Sequence, residues 1–195
     1  MQQRSEETRS QILEAALDLF SHAGYDATSV DAVCAQASVS KGAFYHHFPS
    51  KQAVFLQLLE NWLAGLDTRF AAAREETENV TQFFANISAT LPGIFEEADQ
   101  HLPMFLEFWA QASRDEAVWQ ATIAPYRRYR DFFSEIVEEG IIEGIFRPVD
   151  AQVAAQLIVS LAVGTLLQGL LDQQDTDWKK VASESMNLMM KGLAI

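Results

Sequence analysis

Positions 40–47 read Ser-Lys-Gly-Ala-Phe-Tyr-His-His, and Lys51 follows four residues later. Hydroxyl, ammonium, phenol and imidazole groups at this density can donate hydrogen bonds to phosphate oxygens and to base edges. Gly42 and Ala43 keep one side narrow enough for the backbone to come close to a duplex. Wound as a helix, the segment turns Phe44 and Phe48 to the other side, where they can anchor it. Helix N-terminal N–H groups add further donors to phosphate. The formal charge of the 195-residue chain is −13, which taken whole argues against a nucleic-acid partner. Its distribution does not. No Asp or Glu occurs from Ala32 to Leu59, a window that holds Lys41, His46, His47 and Lys51. Residues 1–51 carry six acids and four Lys or Arg, whereas residues 52–195 carry 21 acids and ten Lys or Arg. The acidity belongs to the second part of the chain.

Other chemistries find little material. Adjacent helical residues point about 100° apart, so His46 and His47 alone do not make a metal site, and no metal or cofactor is expected. The pair can also be read as ordinary surface histidines. There is no G-x-S-x-G, no G-x-G-x-x-G, no phosphate loop and no H-E-x-x-H, so an enzyme is not expected. Cys34 is the one cysteine; it excludes an intrachain disulfide and reads as a small core residue, with a thiol sensor as the sharper alternative. Glu138-Glu139 reads as a solvated face.

The elements that must hold the 40–47 segment are helices. Ile12, Ala15, Ala16, Leu19 and Phe20 form one apolar face, and Gly24 stops that helix. Thr28 or Ser29 can cap a short second helix with Asp31 in its first turn and Val30, Val33 and Cys34 on its inner face. Ser38-Val39-Ser40 makes a short break, and Ser40 can cap a third helix from Lys41 to about His47. Pro49 and Ser50 interrupt the chain before a long helix over 51–74. Further helices are predicted at 78–97, 103–112, 115–139, 150–172 and 175–191, with Pro92, Pro103, Pro125 and Pro148 as kinks or boundaries. Sustained strand alternation is absent. The reading is all-α, about nine helices, with a three-helix unit over 1–51 and a larger helical body over 52–195.

Three short helices with a three-residue break between the second and third make a helix-turn-helix. The run ILEAALDLFSHAGYDATSVDAV followed by SVSKGAFYHHFPSK resembles the DNA-binding domain of a TetR/AcrR-family transcriptional regulator, over about 45 residues in order and spacing. GIIEGIF, Arg147, Asp150 and the apolar helix after them are similar to the ligand-binding body of that family. The resemblance implies a homodimer on pseudo-palindromic double-stranded operator DNA. It places Lys41, Tyr45 and His47 where the third helix touches phosphates or bases, and Lys51 at a phosphate. Thr28 and Ser29 stand where the second helix meets the DNA backbone. Gly42, Ala43 and His46 take the more variable, sequence-reading places beside Ser40. The unit is not net basic, since its leading arm sets Arg4 and Arg9 beside Glu6 and Glu7; binding is expected to fall steeply with salt through few contacts.

In the body, aromatic and Met residues cluster with polar neighbours such as Glu107, Gln111, Arg127 and Arg130. Apolar walls with a few convergent polar groups suit a small-molecule site. Phe84, Met104, Phe105, Phe108, Trp109, Tyr126, Tyr129 and Phe133 are the candidate lining for a small, largely apolar effector among the helices at 78–139; most such residues elsewhere are simply core. In the helix at 150–172, Ala155, Ala162 and Gly169 recur every seven residues beside Leu166 and Leu170, and Trp178 opens the last helix. These are the candidate homodimer interface, as a four-helix bundle. The alternative is that the two helices only close the protomer's core. Val153–Leu171 is about a membrane span in length, but Gln156, Ser160, Thr165 and Gln168 lie within it, so no membrane is expected. MQQRSEETRS lacks the apolar core of a secretory signal, and a cytoplasmic protein is expected. A helical adaptor that binds only protein is the remaining rival.

Overall fold

In the computed structural model, the backbone is described for residues 2–172 and 176–195, and side chains for all of these except 2, 3, 92, 95–103, 105 and 170. Helix α1 (Gln2–Ala23) buries Ile12, Leu13, Ala15, Ala16 and Phe20 on one face. It ends where Gly24 takes φ +84° and donates its N–H to Phe20 O at 3.1 Å, a left-handed stop that suits a residue without Cβ. Helix α2 (Val30–Gln36) starts at Ser29, whose Oγ accepts from Ala32 N at 3.1 Å, and buries Val33 and Cys34. The break after it is tight because Ser38 adopts φ +55° while Val39 N reaches Cys34 O at 3.0 Å. A left-handed non-glycine costs roughly 1–2 kcal/mol, and here it turns the chain directly into α3 (Lys41–His47).

Helices α4 (Lys51–Glu75), α5 (Val80–Ala112), α6 (Glu116–Ile142), α7 (Ala151–Leu171) and α8 (Trp178–Leu193) follow. Asp115, Asp150 and Asp177 each accept a backbone N–H at the start of α6, α7 and α8, which satisfies donors the helix leaves open and sets a negative charge at its positive end. The helices expected at 78–97 and 103–112 are joined in the single α5. A proline inside a helix removes one hydrogen bond and crowds the turn before it, a cost of about 3 kcal/mol. The apolar residues Val80, Phe83, Phe84, Ile87 and Leu91 at one end of α5, and Met104 and Phe108 at the other, bury enough surface to offset it. Pro125 lies inside α6, which likewise continues through it. Among the described residues the fold is all-α, and the one strand-like feature is an isolated bridge between Phe146 and Ala194.

Packing divides the chain into two compact units. The first is Met1–Gly65 with His101–Thr122, the second Leu66–Gln100 with Ile123–Ile195. The first therefore extends beyond the expected 1–51 segment and takes in the end of α5 and the start of α6. Its core gathers Ile12, Ala16, Phe20, Val33, Phe44, Phe48 and Phe55 with Met104, Phe108 and Val118. The second core gathers Phe83, Phe84, Ile87, Phe133, Val137, Phe146, Ala155, Ile158 and Met186. There the turn after α6 is fixed by Gly144 at φ +72° and by Phe146, whose ring lies over Gly140; a Cβ on Gly140 would stand 2.6 Å from Phe146 Cε2.

Candidate nucleic-acid interface

Helix α3 is amphipathic in the sense the sequence suggests. Phe44 and Phe48 are buried, their ring centroids 6.2 Å apart, and α3 packs on α1 and α2. The opposite side is open. Ser40, Lys41, Gly42, Tyr45 and His46 are exposed, with Ala43 and His47 half-buried. Ser40 Oγ accepts from Ala43 N at 3.1 Å and so caps the helix. A Cβ built on Gly42 would meet only Ser40 Oγ, at 3.8 Å, so the protein's own packing does not require a glycine there. The His46 and His47 rings stand 5.2 Å apart, edge to face. Arg9 of α1 lies over the Phe48 ring, 5.2 Å from its centroid, which places a guanidinium beside the end of α3.

Two residues expected to touch phosphate are engaged inside the protein. Lys51 is half-buried, and its Nζ donates to Tyr25 O at 2.6 Å and Thr28 O at 2.8 Å while standing 4.2 Å from the Tyr25 ring centroid. Burial lowers its proton affinity below that of an ordinary lysine, partly opposed by Asp26 and Glu107. Two hydrogen bonds and a ring contact engage the ammonium, so Lys51 clamps the turn between α1 and α2 onto α4. Thr28 is 4% exposed and donates its hydroxyl to Gly24 O at 2.8 Å. It fastens that turn from within and offers no hydroxyl to a duplex, whereas its neighbour Ser29 is exposed as the α2 cap.

The turn is held from a second side. Gln111 Nε2 donates to Asp26 Oδ1 at 3.1 Å, and Phe108, Phe55 and Tyr25 form a run of aromatic contacts with centroids 4.3 and 4.4 Å apart. The expected effector lining divides between the two units. Met104 and Phe108, 2% and 3% exposed, are core of the first unit, and Trp109 lies in the same unit. Phe84, Tyr126, Tyr129 and Phe133 belong to the second, where the Phe84 and Phe133 rings stack 6.4 Å apart and the two tyrosines pack half-buried against the same core. The side chain of Phe105 lies outside the described residues. A helical stripe of aromatics does not reveal that one long helix serves two cores, and that is why eight residues that look like one cluster divide.

Asp67 and Arg128 pair at 2.7 Å in the second unit, and Arg128 stands 5.3 Å from the Tyr129 ring centroid. Burial, then a hydrogen bond to Asp67, holds the Tyr129 phenol well above its ordinary value. Among the described residues, no group of three His, Cys, Asp or Glu side chains is placed to hold a metal ion.

The expected partner-facing stripe of α7 is buried at one of its positions and open or half-open at others. Ala155 is fully buried against the second core, and it cannot meet another chain. Ala162 is exposed, Leu166 and Gly169 are half-buried, and the side chain of Leu170 lies outside the described residues. Trp178 is half-buried and donates Nε1 to Asp172 O at 2.6 Å. The large apolar side chains most exposed to water are on the other side. Val153, Leu157 and Leu171 are 65, 52 and 74% exposed, and a Cβ on Gly164 would meet nothing within 4 Å. These four recur at i, i+4, i+11 and i+18, a heptad-like seam. Leu188 and Ile195 add exposed apolar groups at and beyond α8. Ala151–Gly169 is long and apolar enough to cross a membrane by length and composition alone.

Residues 12–58 match the family described as bacterial regulatory proteins, tetR family, and residues 82–186 match the BetI-type transcriptional repressor, C-terminal. The chain is 30% identical over 118 residues to the HTH-type transcriptional regulator UidR of Escherichia coli (strain K12), over 60% of this chain and 58% of that one. The match thus spans less than two thirds of that relative's length. It is 27% identical over 143 residues to the HTH-type regulator YfiR of Bacillus subtilis (strain 168), 71% of this chain and 68% of that one. A transcriptional regulator from Saccharomonospora viridis solved in complex with choline superposes with a TM-score of 0.83 at 19% identity, covering 97% of this chain and 99% of that one. A TetR-family regulator from Agrobacterium tumefaciens superposes with a TM-score of 0.79 at 17% identity, covering 98% of this chain and 100% of that one. At these identities the structural matches speak for the fold.

Proposed function

We propose, from the premise that the chain belongs to the TetR family of bacterial transcriptional regulators and carries a BetI-type C-terminal domain, that it is a ligand-released repressor acting as a homodimer on a pseudo-palindromic operator. The family is one of regulators with a DNA-binding helix-turn-helix, not of enzymes. The observation that carries the finer reading is the uncovered side of α3, held in place by the buried Phe44 and Phe48. Ser29, Ser40, Lys41, Tyr45 and His47 supply donors to the phosphates. Gly42, Ala43 and His46 take the base edges, with Ala43 offering only apolar contact to a thymine methyl.

Residues 1–51 form the DNA-binding segment and 52–195 the body that binds effector and dimerises. The second copy lies against Val153, Leu157, Gly164 and Leu171 of α7 and Leu188 of α8. A seam of exposed large side chains with a glycine at closest approach is what a four-helix bundle uses. The pair presents two α3 helices to half-sites about 34–36 Å apart. The effector is small and largely apolar, enclosed by Phe84, Tyr126, Tyr129 and Phe133 of the second unit. The choline held by the Saccharomonospora viridis relative supports a small-molecule site in this fold, and aromatic rings also suit a quaternary ammonium. An effector that binds better to the body of the DNA-free arrangement shifts the population away from the operator. Such a protein works in the cytoplasm, where its operator is.

The test is selection of bound fragments from genomic DNA, followed by mobility shift on the selected sequence. Recovery of an inverted repeat with half-sites one helical turn apart is expected. Selection that returns no common sequence, with no shift at about 50 mM salt, refutes the reading.

A further inference from the structure

The acid-free window that opens at Ala32 is preceded directly by Asp31, and the Asp31 carboxylate reaches into it. Oδ1 of Asp31, in the first turn of α2, lies 2.5 Å from Nζ of Lys41, the first residue of α3. The two side chains are 65% and 62% exposed, so the pair stands on the open surface rather than in the core. The hydrogen bond from Lys41 to Asp31 raises the proton affinity of the lysine above its usual value. With Lys51 clamped inside the α1–α2 turn, Lys41 is the lysine of residues 1–51 nearest the α3 surface, and a carboxylate already occupies it.

We propose that Asp31 sets duplex affinity and sharpens selectivity by holding Lys41 off the phosphates. The inference rests on the DNA-binding reading above. An exposed ion pair is weak, so a phosphate can win the lysine but gains little by doing so. Each phosphate neutralised by a free lysine releases condensed counterion; a lysine that exchanges one anion for another beside a retained carboxylate releases less. Binding to random duplex is almost wholly of this electrostatic kind, whereas a correct site also collects base-edge contacts. The mask therefore takes proportionally more from the wrong sequences than from the right one.

The test uses the full-length protein with Asp31→Asn, which keeps the shape of the side chain and suits the first turn of α2. Asp31→Ser serves as a second neutral variant should the first fold poorly by circular dichroism. Dissociation constants are measured on a random-sequence duplex and on the selected operator from about 50 to 300 mM KCl. Affinity for the random duplex is expected to rise about two- to fivefold per recognition helix. The slope of log K against log salt should steepen by about 0.9 per lysine released, and the operator-to-random ratio should fall. In a Lys41→Ala background the same change at Asp31 should have no effect. An equal gain in that background would mean that Asp31 merely repels the duplex, and the proposal falls. An unchanged slope overturns it as well. A parent protein that binds no duplex at any salt refutes the DNA-binding reading instead, a separate outcome.

Discussion

Replacing Lys51 by Met distinguishes an internal clamp from a phosphate ligand. Methionine keeps most of the aliphatic stem but removes the charge and its donors. Two hydrogen bonds from an ammonium are lost, to Tyr25 O at 2.6 Å and Thr28 O at 2.8 Å, together with a cation 4.2 Å from the Tyr25 ring. Tyr25 O still accepts from Thr28 N at 3.3 Å, whereas the Thr28 carbonyl loses the lysine it faced. Charge-assisted bonds contribute about 1.5–3 kcal/mol each, and an ammonium that is only half-buried belongs at the low end of that range. A cation over an aromatic ring adds about 0.5–1 kcal/mol. Part of this returns because burying a lysine is itself unfavourable. The net expectation is a loss of about 2–4 kcal/mol, read as a lower midpoint in urea with little change in the denaturant dependence. Measured where the variant remains folded, the salt slope of operator binding should match the parent. A stability loss under about 0.5 kcal/mol, with a slope shallower by about 0.9 per protomer, would show that Lys51 reaches a phosphate and that the clamp reasoning is wrong.

Other perturbations test other parts of the molecule. Leu157→Glu places a charge in the exposed seam of α7, where the side chain is 52% exposed in the protomer; it should leave the fold intact, give monomers in sedimentation, and abolish operator binding at concentrations where the parent is fully bound. Gly140→Ala drives a methyl group into the Phe146 ring, so thermal or urea unfolding should report a loss of about 1–3 kcal/mol, the usual cost of overpacking. Tyr129 keeps its phenol proton in the folded state to well above its ordinary value of 10.0. From about pH 10 upward the unfolded chain releases that proton while the folded one retains it, so stability falls by up to about 1.4 kcal/mol per pH unit from this group. Tyr129→Phe should flatten the alkaline limb of a stability–pH profile; a limb of unchanged steepness would show that the phenol is not held this way.

Much of the first unit was legible because short-range rules govern it. Ser29 and Ser40 cap the helices their positions announce, and the alternation of Phe44 and Phe48 with polar residues fixes which side of α3 faces out. Helix periodicity also located α4, α6, α7 and α8 to within a few residues. What could not be read is long-range. A lysine opening a helix looks the same whether it reaches solvent or the carbonyls 23 and 26 residues earlier that Lys51 contacts. Asp31 could be placed in its first turn by the dipole argument, yet its grip on Lys41 depends on how α2 and α3 cross. On α7 the small-residue repeat at 155, 162 and 169 mixes a buried Ala155 with an exposed Ala162, because small residues serve equally for packing within a chain and between chains. The register of Val153, Leu157, Gly164 and Leu171 is present in the same letters, and only folded burial shows that its large side chains stay exposed.

Val153, Leu157 and Leu171 standing in water on α7 have a bearing on dosage. If only a second copy covers them, the active species forms from two chains, and in the dilute regime its amount follows the square of the total. Halving the chains in a cell would then cut the paired form by about fourfold. Gene copy number, synthesis rate and dilution by growth would all bear on the promoter more steeply than for a regulator that works alone.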